Sequence, residues 1–166
     1  TQRKKAQKST LDMIGYLPNK ITDEEQFSTD FANFFSFDRY FPISSAYEML
    51  KSNGLILSNN KLATQLSRYY EFEQNKVNSS VKDIEEAFIL IVKNERSIHR
   101  FITFMKMRVK VTVRDSNDPV FKKELMQNLI VFRDNNGGTL EKLLTFTNIN
   151  STLITALETE IKALKK

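Results

Sequence analysis

Histidine occurs once in this chain, as His99, and cysteine does not occur at all. Those two facts decide most of the chemistry open to it. A multi-histidine metal site, a thiolate metal site, a disulfide and a cysteine nucleophile are all excluded. His99 lies between Ile98 and Arg100 with no acid or base at a partnering spacing, so it reads as a packed or surface histidine. The carboxylate pairs Glu24-Glu25 and Glu85-Glu86 are adjacent in sequence and diverge on a helix, so neither makes a general acid–base couple by itself. Glu95 opens the nearest approach to a di-metal Glu-x-x-His motif, but Ile98 stands where the histidine belongs and His99 follows one residue late. Gly137-Gly138 is not followed by Lys-Ser or Lys-Thr, and no serine sits in a Gly-x-Ser-x-Gly elbow. The expectation is a protein without catalysis, bound metal or cofactor.

The net charge is +5. Two clusters carry much of it: Arg3, Lys4, Lys5 and Lys8 near the start, then Arg100, Lys106, Arg108, Lys110 and Arg114. A solvated helix face is the plain reading of each. Contact with phosphates of nucleic acid or lipid headgroups is the sharper one. A nucleic-acid-binding module using residues 100–114 is therefore the alternative function. Two other nucleic-acid readings are weak. Tyr69 and Tyr70, beside Arg68, could stack on bases, but they fall on the apolar face of a helix and belong to a core. A helix-turn-helix drawn through residues 45–72 has few basic residues where base contacts would be made. No run of 18 apolar residues exists, so nothing in the sequence spans a membrane, and no secretory signal pattern is evident.

The elements that would position these residues are helical. With 4 Gly and 3 Pro in 166 residues, turns are few and elements long. Leu11, Ile14 and Leu17 predict a first helix over about residues 2–17, stopped by Pro18. Thr22 and Glu25 form a capping box ahead of an apolar face of Phe27, Phe31, Phe34 and Phe35. Ser45 and Glu48 form a second one, opening a short helix with Ala46, Met49 and Leu50 inward and Asn53-Gly54 at its end. Leu55, Ile56 and Leu57 plug the helix ends, and Ser58 caps the next helix. From Val77 through Val81, Ile84, Phe88, Ile91, Glu95, Ile98, Ile102 and Met105 to Val109, steps of four and three predict one long heptad seam. Asn78-Ser79-Ser80 is the weak point at which a kink or a break could fall, and the sequence leaves open whether the helix breaks there. Val109, Val111 and Val113 alternate with polar residues, but without an evident partner strand they read as a fraying helix end or a linker. Asp118-Pro119 starts a helix with Phe121, Leu125, Leu129 and Phe132 inward. Asp134–Gly138 reads as a turn, and a last helix begins near Thr139, with Leu140, Leu143, Leu144, Thr147, Asn150, Ile154, Leu157, Ile161 and Leu164 in its seam. Thr147 and Asn150 would pair with each other or with Glu95. The whole predicts a single all-α domain over residues 1–166: a bundle of about five or six helices, two of them long and antiparallel.

Residues 41–71, "FPISSAYEMLKSNGLILSNNKLATQLSRYYE", carry a resemblance. A Tyr-Glu-x-Leu-Lys-x-x-Gly turn, here Tyr47, Glu48, Leu50, Lys51 and Gly54, precedes a helix with Asn59, Leu62, Tyr69 and Tyr70. This stretch resembles a bacterial membrane-anchored family of unknown function, the domain-of-unknown-function 6090 type. The resemblance implies a short basic N-terminus, one transmembrane helix absent from this chain, and a helical soluble region outside the cytoplasm, on the periplasmic side. No activity is established for that family, so no catalytic residue is carried over. The resulting expectation is a non-catalytic, protein-interaction or sensory domain of a single-pass membrane protein, with a protein partner or self-association. Candidate interaction residues are Tyr47, Glu48 and Lys51 at the turn, and Arg100, Lys106, Arg108 and Lys110 in the basic stretch.

Overall fold

The computed structural model describes residues 2–36, 40–54, 57, 59–93, 101–102, 112–113 and 115–165. Helix α1 runs Gln2–Tyr16, α2 Glu24–Phe34, α3 Ser45–Ser52, α4 Asn60–Ser67 and α5 Gln74–Lys93. A π-helical segment, Arg68–Glu73, joins α4 to α5 without a break. Strands β1 (Phe101–Ile102) and β2 (Thr112–Val113) pair antiparallel, and α6 covers Pro119–Leu164. The fold is all-α, with five helices among the described residues once the joined segments are taken as one. The chain packs as two compact units. One comprises Thr1–Arg39 and Lys82–Leu140, the other Tyr40–Val81 and Glu141–Lys166.

The first unit is built on phenylalanine. Phe27, Phe31 and Phe34 of α2 are buried with Met13 and Leu17, with Ile84 and Phe88 of α5, and with Phe121, Leu125, Leu129 and Phe132 of α6. The predicted apolar faces of α2, α5 and the start of α6 are the ones that meet. Phe34 is central, with its ring centroid 4.7 Å from Phe132 and 5.4 Å from Phe88. Edge-to-face and tilted rings at these distances add to the transfer energy of burying each side chain, about 1.5–3 kcal/mol apiece. Buried Asp30 is satisfied by the Tyr16 hydroxyl at 3.1 Å and the Gln26 side-chain amide at 2.9 Å. Burial first, and then the Asp30 carboxylate, push the Tyr16 phenol well above its ordinary range.

Helix ends follow short-range chemistry, with small shifts from the sequence reading. Asp118 caps α6 by accepting from the Phe121 amide at 2.7 Å, as expected. The cap of α2 is Asp23, whose Oδ1 accepts from Gln26 N at 2.8 Å, rather than Thr22. The cap position of α3 is Ser44 rather than Ser45, and it makes no side-chain bond, so no capping box with Glu48 forms. Asn59 caps α4, accepting from Leu62 N at 3.1 Å; Ser58 lies outside the described residues. Gly54 ends α3 with φ 83°, the left-handed geometry glycine adopts without penalty. Leu57 packs on the second unit's core, whereas Leu55 and Ile56 lie outside the described residues.

Four further expectations are corrected. First, α3 turns a different face inward: Tyr47 is buried, while Ala46, Met49 and Leu50 are exposed. One large aromatic with a bonded hydroxyl outweighs three smaller contacts. Second, the helix does not break at residues 78–80: α5 runs through them, and Ser80 is buried and accepts a hydrogen bond from Lys142 Nζ. The irregularity lies earlier, at Arg68–Glu73.

Third, the long seam is not helical throughout. Helix α5 is described to Lys93, and Ile102, counted in the heptad pattern, lies in β1 opposite Thr112. The strand partner that Thr112–Val113 seemed to lack was hidden inside that pattern; residues 109–111 lie outside the described residues. Glu95, Ile98, Met105 and Val109 lie outside the described residues.

Fourth, Asp134–Gly138 is not a turn; α6 runs through it. Two interior glycines cost a helix about 1 kcal/mol each relative to alanine. Contacts with α1 offset that cost. Asn136 is fully buried; its Nδ2 donates to Gln7 Oε1 at 2.7 Å and to the Arg3 carbonyl at 3.2 Å. Gln7 Nε2 in turn donates to the Arg133 carbonyl at 3.1 Å. Three bonds at a net 0.5–1.5 kcal/mol each match the glycine penalty. The last helix therefore has no separate start at Thr139, and the predicted seam shifts: Leu153 is buried, while Leu144, Thr147, Ile154, Ile161 and Leu164 are exposed.

The core assignment predicts a sharp contrast. Phe34→Ala should lower unfolding free energy by about 3–5 kcal/mol in urea denaturation. Phe72→Ala, at a side chain 57% exposed, should change it by less than about 0.5 kcal/mol. Equal losses would contradict the placement of either ring.

Candidate functional site

The candidate residues at the α3 turn lie in the second unit, and Tyr47 organises them. Its ring stacks on Tyr70 with centroids 4.5 Å apart and planes 9° from parallel. Tyr70 meets Tyr69 edge-on at 4.9 Å, and Tyr69 stacks on Phe146 of α6 at 4.9 Å. Tyr40 closes the row, edge-on to Phe146 at 6.2 Å. The Tyr69 hydroxyl donates to Asn150 Oδ1 at 3.1 Å. Asn150 is thus partnered by Tyr69, not by Thr147, whose hydroxyl donates to the Leu143 carbonyl of its own helix.

The π segment is what brings Tyr69, Tyr70 and Glu71 to this row. Its wider turn lets the Gln74 N–H bond to the Tyr69 carbonyl five residues back. The same spacing pairs Arg68 Nε with Glu73 Oε1 at 3.2 Å, a contact that α-helical spacing of three or four would not give. Glu73 is buried, so that pair is anchored on its carboxylate side.

Glu71 joins α3 to the π segment. Its Oε1 accepts from the Tyr47 hydroxyl at 2.7 Å and from Lys51 Nζ at 2.8 Å. Tyr47 and Lys51 are four residues apart on α3, which places both above one carboxylate. Glu48 is exposed and stands outside this network. Burial, then the bond to Glu71, pushes the Tyr47 phenol up. The bonds from Lys51 and Tyr47 pull the Glu71 carboxyl down, and the bond to Glu71 raises Lys51. Each shift moves its group away from neutrality. A proton-transfer catalyst needs the opposite, so this corner is a clamp held in one charge state.

A shallow groove of about 340 Å³ lies beside the clamp, lined by Gln65, Arg68, Tyr69, Asn148 and Leu153 among others. Tyr47, Glu48 and Lys51 do not line it. No group of three or more histidine, cysteine or acidic residues capable of holding a metal occurs among the described residues. The other candidates, Arg100, Lys106, Arg108 and Lys110, lie outside the described residues, as do His99 and Arg114. The sequence reading missed Glu71 and Phe146. Glu71 follows the Tyr-Tyr pair directly, but only the π offset shows that it faces α3.

The clamp predicts a pH dependence with a defined sign. Glu71 is depressed in the folded state, so its contribution is fully present above the ordinary carboxylate range and is lost below it, as pH falls through the depressed folded value. Lys51 is raised, so its contribution is fully present below the ordinary lysine range and is lost above it, as pH rises through the raised folded value. Relative to Glu71→Gln, the wild type should hold a small, constant advantage in urea midpoint between about pH 5 and 10, shrinking as pH falls below about 4 and as it rises above about 11. A difference independent of pH would contradict the ion pair.

Comparison with protein-family models, with curated proteins and with solved structures finds no match for this chain.

Proposed function

We propose that this chain is a non-catalytic helical interaction domain, the extracytoplasmic part of a single-pass membrane protein, and that its second unit receives a protein partner. One observation carries the interaction reading: the composition of the outward face of α6. Residues 143–157 include no charged side chain. Thr145, Thr147, Ser151, Thr152 and Thr155 each donate their hydroxyl to the carbonyl four residues back. With their hydroxyls engaged, the threonines present methyl groups. Leu144 is 65% exposed and Ile154 46% exposed on the same helix. An uncharged helix face with its polar groups turned onto its own backbone suits an apolar protein surface better than water. Elsewhere in this unit Phe41, Ile43 and Met49 are also exposed. The anchoring part of the reading rests on the resemblance of residues 41–71, and no described helix is long and apolar enough to cross a membrane.

Two measurements test this. Full-length protein should sediment with membranes and be released by detergent but not by high salt; recovery in the soluble fraction would overturn the anchoring. A photo-crosslinking residue at Leu144 or Ile154 should give a discrete adduct in intact cells, abolished by Leu144→Glu with Ile154→Glu, while unfolding stability changes by less than about 0.5 kcal/mol per site. Absence of any adduct at both positions would overturn the interaction face.

A further inference from the structure

The segment Asp134–Gly138 codes for one conformation and adopts another. Asn-Asn-Gly-Gly is turn chemistry, since each residue favours leaving a helix. In the fold these residues are α-helical, in the middle of α6. The difference is made by α1. Gln7 accepts from Asn136 and donates to the Arg133 carbonyl, and the Arg3 carbonyl takes the second Asn136 hydrogen. A Cβ placed on Gly137 would meet Gln7 Nε2 at 3.5 Å, so the Gln7 side chain of α1 lies against that glycine. The clamp is not fully satisfied: Asn136 Oδ1 is buried and accepts no hydrogen bond from the described residues. An unsatisfied buried oxygen weighs against the docked state.

We propose that the docking of α1 and the helical state of residues 134–139 form one two-state element. With α1 docked, α6 is continuous. With α1 released, α6 opens to the turn that its own sequence codes. Linkage makes the coupling reciprocal: whatever draws α1 away weakens α6 at this point, and whatever breaks α6 here loosens α1. All the residues concerned belong to the first unit, so the device stands whatever partner the second unit takes. Position 138 offers an independent handle, because a Cβ there meets nothing within 4 Å. Alanine at that position favours the helix without touching α1.

Amide hydrogen exchange on the whole chain tests the coupling. Gln7→Met removes both side-chain bonds at similar volume. It should speed exchange of the amides of residues 137–142 by about tenfold, while those of Leu62–Leu66 in the second unit stay unchanged. Adding Gly138→Ala to Gln7→Met should restore the slow exchange. Three results would overturn the proposal: no change at residues 137–142 in Gln7→Met, an equal rise in Leu62–Leu66, or failure of Gly138→Ala to restore protection.

Discussion

The buried side chain of Asn136 donates to Gln7 and to the Arg3 carbonyl at the place where the local sequence most favours ending a helix. Much of the architecture rests on that contact. Helix α6 supplies Phe121, Leu125, Leu129 and Phe132 to the phenylalanine core of the first unit, and Leu153 and Leu157 to the smaller core of the second. A turn at Gly137-Gly138 would separate those two sets of residues into different elements. Three modest hydrogen bonds against two glycine penalties is a narrow margin. The margin is consistent with the general position of proteins, whose total stability is a small difference between large terms.

The second unit uses the same kind of constraint at smaller scale. One carboxylate oxygen of Glu71 takes both the Tyr47 hydroxyl and the Lys51 ammonium, and the π segment is what brings it there. Irregular helical turns of this type are common at functional sites. Here the extra width accomplishes two identifiable things. It brings Tyr69 and Tyr70 into a row of stacked rings that runs from Tyr47 to Phe146, and it pairs Arg68 with the buried Glu73. The row of rings joins α3 and α6 to the π segment, while the Arg68–Glu73 pair closes within the segment itself.

The apolar stripes were legible from spacing alone. Phe27, Phe31 and Phe34, then Val77, Val81, Ile84 and Phe88, and then Phe121, Leu125, Leu129 and Phe132 are buried as their periodicity required. Local rules located helix ends to within a residue or so, because a cap depends on only a few neighbours; Asp23 in place of Thr22 is an error of that size. What spacing could not reveal was any outcome decided by a distant partner. Asn136 is a turn residue until Gln7 is placed against it, and Phe101–Ile102 is part of a heptad until Thr112–Val113 pairs with it. Tyr47 was singled out for a family resemblance, and its role became visible only with Glu71 and Tyr70 beside it. Tertiary context overrides propensity most easily where the local preference is worth only a kcal/mol or two.

The most direct test of this account is the backbone conformation at Asn135–Thr139, read from carbon chemical shifts by NMR. The same residues should be compared in the intact chain and in an isolated peptide covering residues 126–147. Helical Cα shifts are expected through Asn135, Asn136, Gly137 and Gly138 in the intact chain, and coil or turn shifts in the peptide, which lacks α1. Coil shifts in the intact chain, or full helix in the peptide, would contradict the claim that contacts with α1 hold α6 together.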